Sequence, residues 1–240
     1  MQGSELKANA RRLMLENALR PLTVSILFVI IIAAASDLRF RLPGTENAYT
    51  RYMENVLGGT PHSIELFLSY LRPAGAALAL ILLILCFVMR AGFMSYCLKT
   101  TRSQKSGYRN IFDGFLHFRK VLSIIAISTL LIAAWSLLLF IPGIAAFYRY
   151  RQAFYILFDD PDKSALDCIR ESKLIMRGRK ADLFIIDISF ICWFALYLLL
   201  MIPMLLLLPF SFPVVSIWLA PYMGLSHAAF YDRLLESLAA

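Results

Sequence analysis

The chain has 240 residues, of which 60% are hydrophobic, 13% aromatic and only 17% charged, and its mean hydropathy is +0.68. Soluble domains carry about 25% charged residues, so this composition excludes an ordinary soluble protein and is typical of a multi-pass membrane protein. The net charge of +8 does not indicate nucleic acid, because the basic residues border apolar stretches and anionic lipid is a sufficient partner for them.

Six stretches are predicted to cross the membrane, on the criterion that a spanning helix needs about 20 mostly apolar residues. They cover residues 21–36, 74–98, 121–141, 144–158, 183–208 and 214–235. An outer loop over residues 37–72 follows the first span, and an interfacial helix precedes it. We therefore expect an all-α integral membrane protein, a single membrane domain over residues 1–240 that consists of three helical hairpins.

The distribution of basic residues predicts the orientation, since short cytoplasmic segments gather Lys and Arg. With six spans and both termini in the cytoplasm, most of the 24 basic residues fall on inner segments. The outer side then holds only Arg39, Arg41, Arg51 and Arg72. If residues 144–158 did not cross, the basic segment 163–180 would lie outside, so the charges favour six spans.

An amphipathic helix is predicted on the inner side over residues 164–178. Ser164 and Asp167 have the spacing of an N-terminal capping box, and Gly178 is a suitable helix stop. Its apolar and charged residues separate onto different faces, which is typical of a helix lying parallel to a membrane surface. We expect a structural element packed under the bundle rather than a regulatory helix.

The fourth predicted span contains two arginines, Arg149 and Arg151. A guanidinium at membrane depth costs ~3 kcal/mol or more, so it requires a partner or a function. Asp187 lies at a similar depth in the fifth predicted span. The favoured interpretation is that one arginine pairs with Asp187 and locks the two spans together, while Asp159 and Asp160 neutralise the other arginine at the interface.

The alternative interpretation is a polar cavity, open to the inner leaflet, that binds a lipid phosphate or a small anion. Guanidinium groups match phosphate geometry, and tyrosines suit the wet edge of the hydrocarbon layer. The predicted lining consists of Tyr148, Arg149, Tyr150, Arg151, Gln152 and Asp187. A helix break at Pro142-Gly143 would support such a cavity, although the same pair also fits a simple turn between two spans.

No sequence pattern indicates catalysis, a metal site or a cofactor. The motifs GxSxG, HExxH and the P-loop are absent from the sequence. Ser226 and His227 are adjacent and so point to different helix faces, which is unsuitable for a nucleophile and its base. The four cysteines and three histidines show no metal-ligand spacing. We therefore expect a protein that is not an enzyme.

An ordered series of short motifs from the second predicted span onward resembles a known family. The motifs are Phe140-Ile141-Pro142-Gly143-Ile144, Asp160-Pro161, Ser164-Ala165, Ser172-Lys173-Leu174-Ile175-Met176-Arg177-Gly178, Ser189-Phe190-Ile191-Cys192-Trp193, Pro221-Tyr222 and Phe230-Tyr231. In this order they resemble the bacterial multi-pass membrane proteins of the domain of unknown function 975 family. The chain departs from the family pattern at Cys192, where a glycine usually precedes the tryptophan. The resemblance implies a fold and a location in the bacterial cytoplasmic membrane, but no activity.

Two functional classes follow from these observations. The first is a non-catalytic scaffold or accessory component of the membrane, with anionic lipids at the cytoplasmic face and a protein partner or a second copy of the chain as its partners. The second is a carrier or flippase-like protein that binds an anionic lipid or small anion through its intramembrane arginines. A carrier usually contains a larger inverted repeat than six short spans provide, so the first class is favoured.

Overall fold

A computed structural model of the chain describes residues 3–16, 19–41, 58, 73–196, 198–199 and 214–239. All regular secondary structure in these ranges is helical, which confirms the all-α prediction. The helices are α1 (Gly3–Glu16), α2 (Leu19–Arg41), α3 (Pro73–Thr101), a 3₁₀ helix (Tyr108–Phe112), α4 (Asp113–Leu116), α5 (Phe118–Leu138), α6 (Phe140–Tyr150), α7 (Ala153–Asp159), α8 (Ala165–Ile175), α9 (Lys180–Ile188) and α10 (Val214–Ala239). Residues 191–196 are also helical.

Among the described residues, two helical stretches are long and apolar enough to cross a membrane. They are Leu80–Thr101, with a mean hydropathy of 2.1, and Phe118–Leu138, with a mean hydropathy of 2.4. A shorter apolar stretch covers Pro21–Ala35. These stretches suggest that the protein associates with a membrane. The predicted outer loop 37–72 lies outside the described residues except for 37–41 and 58, as does much of the predicted fifth span beyond residue 196.

The chain forms two compact units. One consists of Met1–Val29 together with Val88–Ala240, and the other of Ile30–Phe87. The described part of the second unit contains the end of α2 and the beginning of α3. Every side-chain cluster considered below belongs to the first unit.

Helices α5 and α6 form a tight antiparallel hairpin, and the chain reverses at Leu139. This residue is extended, with φ −162° and ψ 145°, between the end of α5 and the beginning of α6. The sequence indicated a break at Pro142-Gly143, but the chain reverses at Leu139 instead. Pro142 is instead the third residue of α6, where the backbone N–H has no acceptor within the helix and its absence costs little.

Gly143 permits the close approach of the two helices in this hairpin. A methyl group at this position would overlap Ser136 Oγ and would stand 3.0 Å from Ser136 Cα. Since part of this contact involves the backbone of α5, rotation of one side chain would not relieve it. The glycine of the Ile-Pro-Gly motif is therefore required for packing, in addition to any effect on the turn.

The segment between α3 and α5 folds back along α3. Cβ atoms at Gly92 and Gly114 would overlap the carbonyl oxygens of Ile111 and Val88, so these backbones are in direct contact. Ile111 is completely buried in this contact. This segment is therefore anchored to α3 through its backbone, while Phe112, Phe115 and several neighbouring apolar side chains remain exposed.

Asp113 fixes this segment to the end of α3. Its carboxylate accepts hydrogen bonds from Lys99 Nζ at 2.6 Å, Ser95 Oγ at 2.8 Å and Asn110 Nδ2 at 3.0 Å. Burial acts to raise the pKa of Asp113, but the hydrogen bonds from Lys99, Asn110 and Ser95 outweigh burial and lower it. The ionised carboxylate therefore stabilises this part of the fold.

Helix α8 begins where the sequence predicted. Ser164 Oγ accepts a hydrogen bond from the Asp167 backbone N–H at 3.2 Å and donates one to Asp167 Oδ2 at 2.6 Å, which confirms the predicted cap. The helix ends at Ile175, and Gly178 follows with φ +79°, a conformation that favours glycine. The face that contains Cys168 and Ile175 is buried against α5, α6 and α7.

Candidate functional site

Asp187, on α9, is the centre of a buried polar cluster. Its Oδ2 accepts a hydrogen bond from Tyr148 Oη at 3.0 Å and forms an ion pair with Arg151 Nη1. Its Oδ1 lies 2.7 Å from His227 Nε2. These four residues, the Asp187 cluster, come from α6, the turn after it, α9 and α10. The predicted pairing of one arginine with Asp187 is confirmed, and the arginine is Arg151.

His227 closes the cluster, because it contacts both charged members. Arg151 Nη2 lies 3.2 Å from His227 Nδ1 and 3.4 Å from Nε2, so the guanidinium lies against the imidazole ring, while Nε2 also contacts Asp187. The histidine side chain is only 9% exposed, against 22% for Arg151 and 19% for Asp187. The histidine therefore covers the ion pair from the side of α10.

Arg149 lies apart from this cluster. Residues two positions apart on a helix are about 200° apart, so Arg149 and Arg151 face nearly opposite directions. The Arg149 guanidinium is 5.8 Å from the centre of the Trp135 ring on α5, a cation–π contact. Its backbone carbonyl accepts a hydrogen bond from Ser172 Oγ at 2.8 Å. Within the described ranges, no carboxylate lies within salt-bridge distance of this guanidinium.

The six predicted lining residues therefore separate into groups. Tyr148, Arg151 and Asp187 are in contact, while Arg149 contacts Trp135 instead. Tyr150 and Gln152 are both buried. Gln152 Oε1 has no hydrogen-bond partner in the part of the chain that the structure describes. A buried amide oxygen without a partner costs stability, which makes Gln152 an unusual member of this region.

A second cluster lies two helical turns further along α7. Arg102, at the end of α3, forms ion pairs with Asp159 and with Asp232, the latter at 2.7 Å. Tyr231 Oη donates to Asp159 Oδ2 at 3.0 Å. These contacts correct the expectation that Asp159 would neutralise an arginine of the fourth span. Asp160 likewise pairs with Lys163, at 3.6 Å.

The two clusters form one continuous stripe between α6–α7 and α10. Arg151, Tyr155 and Asp159 are spaced at four-residue intervals, which places them on one helix face. They meet His227 and Tyr231, which are also four residues apart. Tyr155 and Tyr231 stack with their ring centres 5.3 Å apart. The stacked rings separate the Arg151–Asp187 ion pair from the ion pairs of Arg102. This stripe joins the helices through paired charges and stacked rings.

Sequence reasoning missed His227 and Arg102 as members of these clusters. The four-residue spacing of His227 and Tyr231 was a visible signal that both face the same neighbour. Arg102 had no such signal, because its partners are 57 and 130 positions away in the chain. Only the packing of α3 beside α7 and α10 brings it to two carboxylates.

No curated protein and no solved structure matches the chain. One segment of the chain matches a protein-family model, and it contains Arg149, Arg151, Asp187 and His227. It begins within α5, whereas the resemblance was expected from the second span onward. Residues 123–237 match the model of the family described as "Protein of unknown function (DUF975)", which confirms the resemblance that the motifs predicted.

Proposed function

We propose that the chain is a non-catalytic scaffold or accessory component of the bacterial cytoplasmic membrane, with six transmembrane helices and both termini in the cytoplasm. The observation that carries this proposal is the closed Asp187 cluster. Both oxygens of the carboxylate and both terminal nitrogens of the Arg151 guanidinium are engaged by residues of the same chain. The buried charges are used to join α6, α9 and α10, as a structural role requires.

The tip of the α5–α6 hairpin supports a location within lipid. Leu137 is 88% exposed, Leu138 72%, Leu139 67% and Ile141 79%. Four neighbouring large apolar side chains at this exposure form a patch that a soluble monomer rarely presents to water. In a bilayer, the same patch faces hydrocarbon at no cost. The exposed apolar tip therefore supports membrane association of the hairpin.

The closed cluster also disfavours an anion-binding role for Arg151. A phosphate or other anion would have to displace Asp187 from the guanidinium and leave a buried carboxylate without its partner. Breaking a buried pair in this way costs about 3–5 kcal/mol. Anion binding at this position would therefore begin with a large penalty that a scaffold does not incur.

A second candidate function is that of a carrier or flippase-like protein, and Arg149 is the observation that favours it. This guanidinium is half-buried, rests on Trp135 and has no carboxylate partner in the described ranges. It therefore retains the capacity to bind a phosphate. The scaffold is preferred because one cation on one helix provides no alternating-access pathway.

Transport by the purified protein distinguishes the two functions. Proteoliposomes containing the full chain would be assayed for flipping of a fluorescent anionic phospholipid and for efflux of a small anion. We expect both rates to equal those of protein-free liposomes. Transport that Arg149→Gln abolishes, and that the exposed control Arg119→Gln leaves intact, would refute the scaffold and establish the carrier.

The proposed topology has its own test. A chain in which all four native cysteines are replaced would receive single cysteines at Gln104, at Lys173 or at Gly58. Gln104 and Lys173 should react with an impermeant maleimide only from the cytoplasmic side, and Gly58 only from the outer side. Labelling of all three from one side would refute the six-span arrangement without bearing on the role of the Asp187 cluster.

A further inference from the structure

Helix α1 and helix α10 together form a basic depression on the first compact unit. One face of α1 from Ser4 to Leu15 and the ring of Tyr222 line a shallow cavity of about 530 Å³. The cationic groups of the lining are Lys7, Arg11 and Arg12. The opposite face of α1, with Leu6, Ala10 and Met14, is buried against α9 and α10, so the depression belongs to a fixed surface.

Lys7 and Arg11 face this depression without a carboxylate to balance them. They are four residues apart and so lie on adjacent turns of one helix face. In the described part of the chain, no Asp or Glu is within salt-bridge distance of either, and the neighbouring Glu5 is paired with Arg233 at 2.9 Å. Lys7 Nζ has one weak hydrogen bond, to the Ser189 carbonyl oxygen at 3.3 Å, and lies 4.4 Å from the Phe190 ring centre.

Burial lowers the pKa of the Lys7 ammonium, and no carboxylate in the described residues is close enough to raise it by forming an ion pair. Arg11 stays exposed and presents its guanidinium fork to the same space. An ammonium and a guanidinium on adjacent turns are suited to the oxygens of one phosphate group, since each can donate to a different oxygen.

The surroundings of the depression favour a lipid over a free anion. Tyr222 belongs to an aromatic cluster, with ring centres 5.0 Å from Phe190 and 5.1 Å from Trp218, and Trp193 lies 4.9 Å from Trp218. Tryptophan and tyrosine rings of this kind concentrate where lipid headgroups meet hydrocarbon. Leu15, also in the lining, is 68% exposed and offers an apolar contact for an acyl chain.

We propose that this depression binds the phosphate group of an anionic phospholipid, with Lys7 and Arg11 as its cationic contacts. The site rests on a membrane location of the protein, but it depends neither on the scaffold role nor on the six-span arrangement. It is separate from the Asp187 cluster and from Arg149, neither of which lines the depression. A bound lipid would fasten α1 to the membrane beside the start of α2, which begins four residues after Leu15.

The test measures phosphatidylglycerol binding to the purified full chain by native mass spectrometry, with phosphatidylcholine as the competing lipid. Two basic contacts at a lipid surface are worth roughly a 30-fold difference in affinity, and one is worth roughly fivefold. We expect the Lys7→Gln/Arg11→Gln variant to lose about 30-fold in preference for phosphatidylglycerol. Lys105→Gln/Arg170→Gln, which removes the same charge from exposed positions outside the depression, should bind like the wild type.

Two further variants keep the test independent of folding. Arg11→Gln alone changes an exposed side chain and should weaken binding roughly fivefold. Lys7→Arg/Arg11→Lys retains both charges and should restore binding. Equal binding by the wild type and by Lys7→Gln/Arg11→Gln would overturn the proposal, and so would an equal loss in the control. Displacement of phosphatidylglycerol by millimolar inorganic phosphate would refute the lipid and assign the site to a soluble anion.

Discussion

Removal of the Asp187 carboxylate provides the sharpest test of a structural role for the buried charges. Asp187→Leu leaves the Arg151 guanidinium without its ion pair and removes the acceptor of Tyr148 and His227. Arg151→Met leaves the carboxylate without its cation. Each single variant thus creates a largely buried charge that nothing balances, whereas the double variant removes both charges together.

The structure determines the expected magnitude. Breaking a buried ion pair costs about 3–5 kcal/mol, and side-chain exposures of 22% for Arg151 and 19% for Asp187 place this pair at the lower end. We therefore expect each single variant to lose about 3 kcal/mol of unfolding free energy. The double variant should lose much less than the sum of the two, because replacing an entire buried pair by apolar residues is often close to neutral.

The assay is a double-mutant cycle on unfolding in mixed detergent micelles, followed by circular dichroism. A coupling energy of about 2 kcal/mol or more between the two positions is expected. The matched control is Arg179→Met with Asp182→Leu, a more exposed pair at 3.8 Å that should show coupling of at most about 0.5 kcal/mol. If the effects of the Asp187 and Arg151 variants simply add, the pair does not hold the helices together and the reasoning is refuted.

Three further predictions concern the surrounding fold. Gly143→Ala should destabilise the α5–α6 hairpin by about 1–3 kcal/mol, because its methyl group would overlap Ser136. Adding Ser136→Ala should recover part of this loss in the same unfolding assay. An unchanged melting temperature in Gly143→Ala would contradict the contact. Asp113→Asn should destabilise the protein at neutral pH and progressively less in acid. Hydrogen bonds from Lys99 and its neighbours hold the pKa of Asp113 below its usual 3.8, so the stability that the carboxylate contributes is complete above pH 3.8 and is lost as the pH falls through the pKa of the folded state. A difference in melting temperature between variant and wild type that does not change with pH would contradict this assignment. Ser164→Ala should cost about 1 kcal/mol through loss of the α8 cap and should speed hydrogen exchange in the first turn of α8. Ser164→Asp, which can still cap the helix, should retain most of the stability. Equal exchange rates in the wild type and both variants would contradict the cap.

Local features of the sequence were enough to predict several elements. The composition indicated helices and membrane association, because only internally satisfied backbones can cross hydrocarbon. The start of α8 followed from Ser164 and Asp167, since a cap depends on residues three positions apart. The ordered motifs indicated the family. In each case the information lies within a few neighbouring residues or in the overall composition.

The position of the hairpin turn was not predictable in the same way. Pro142-Gly143 has the strongest local signal for a break, yet the chain reverses at Leu139 and both residues belong to the first turns of α6. Proline is tolerated at the beginning of a helix, and Gly143 is needed because α5 packs against it. The same two residues therefore fit either location, and only the contact with Ser136 distinguishes them.

From the sequence by itself it followed that an arginine in the predicted fourth span needs a partner and that Asp187 is a candidate. The sequence left open which of Arg149 and Arg151 would take that partner. The tertiary structure decided that Arg151 takes Asp187, that His227 closes the pair, and that Arg149 rests on Trp135. The physical reason is that partner choice depends on the rotation of α6 about its axis, which is set by the packing of α5, α8 and α9 against it.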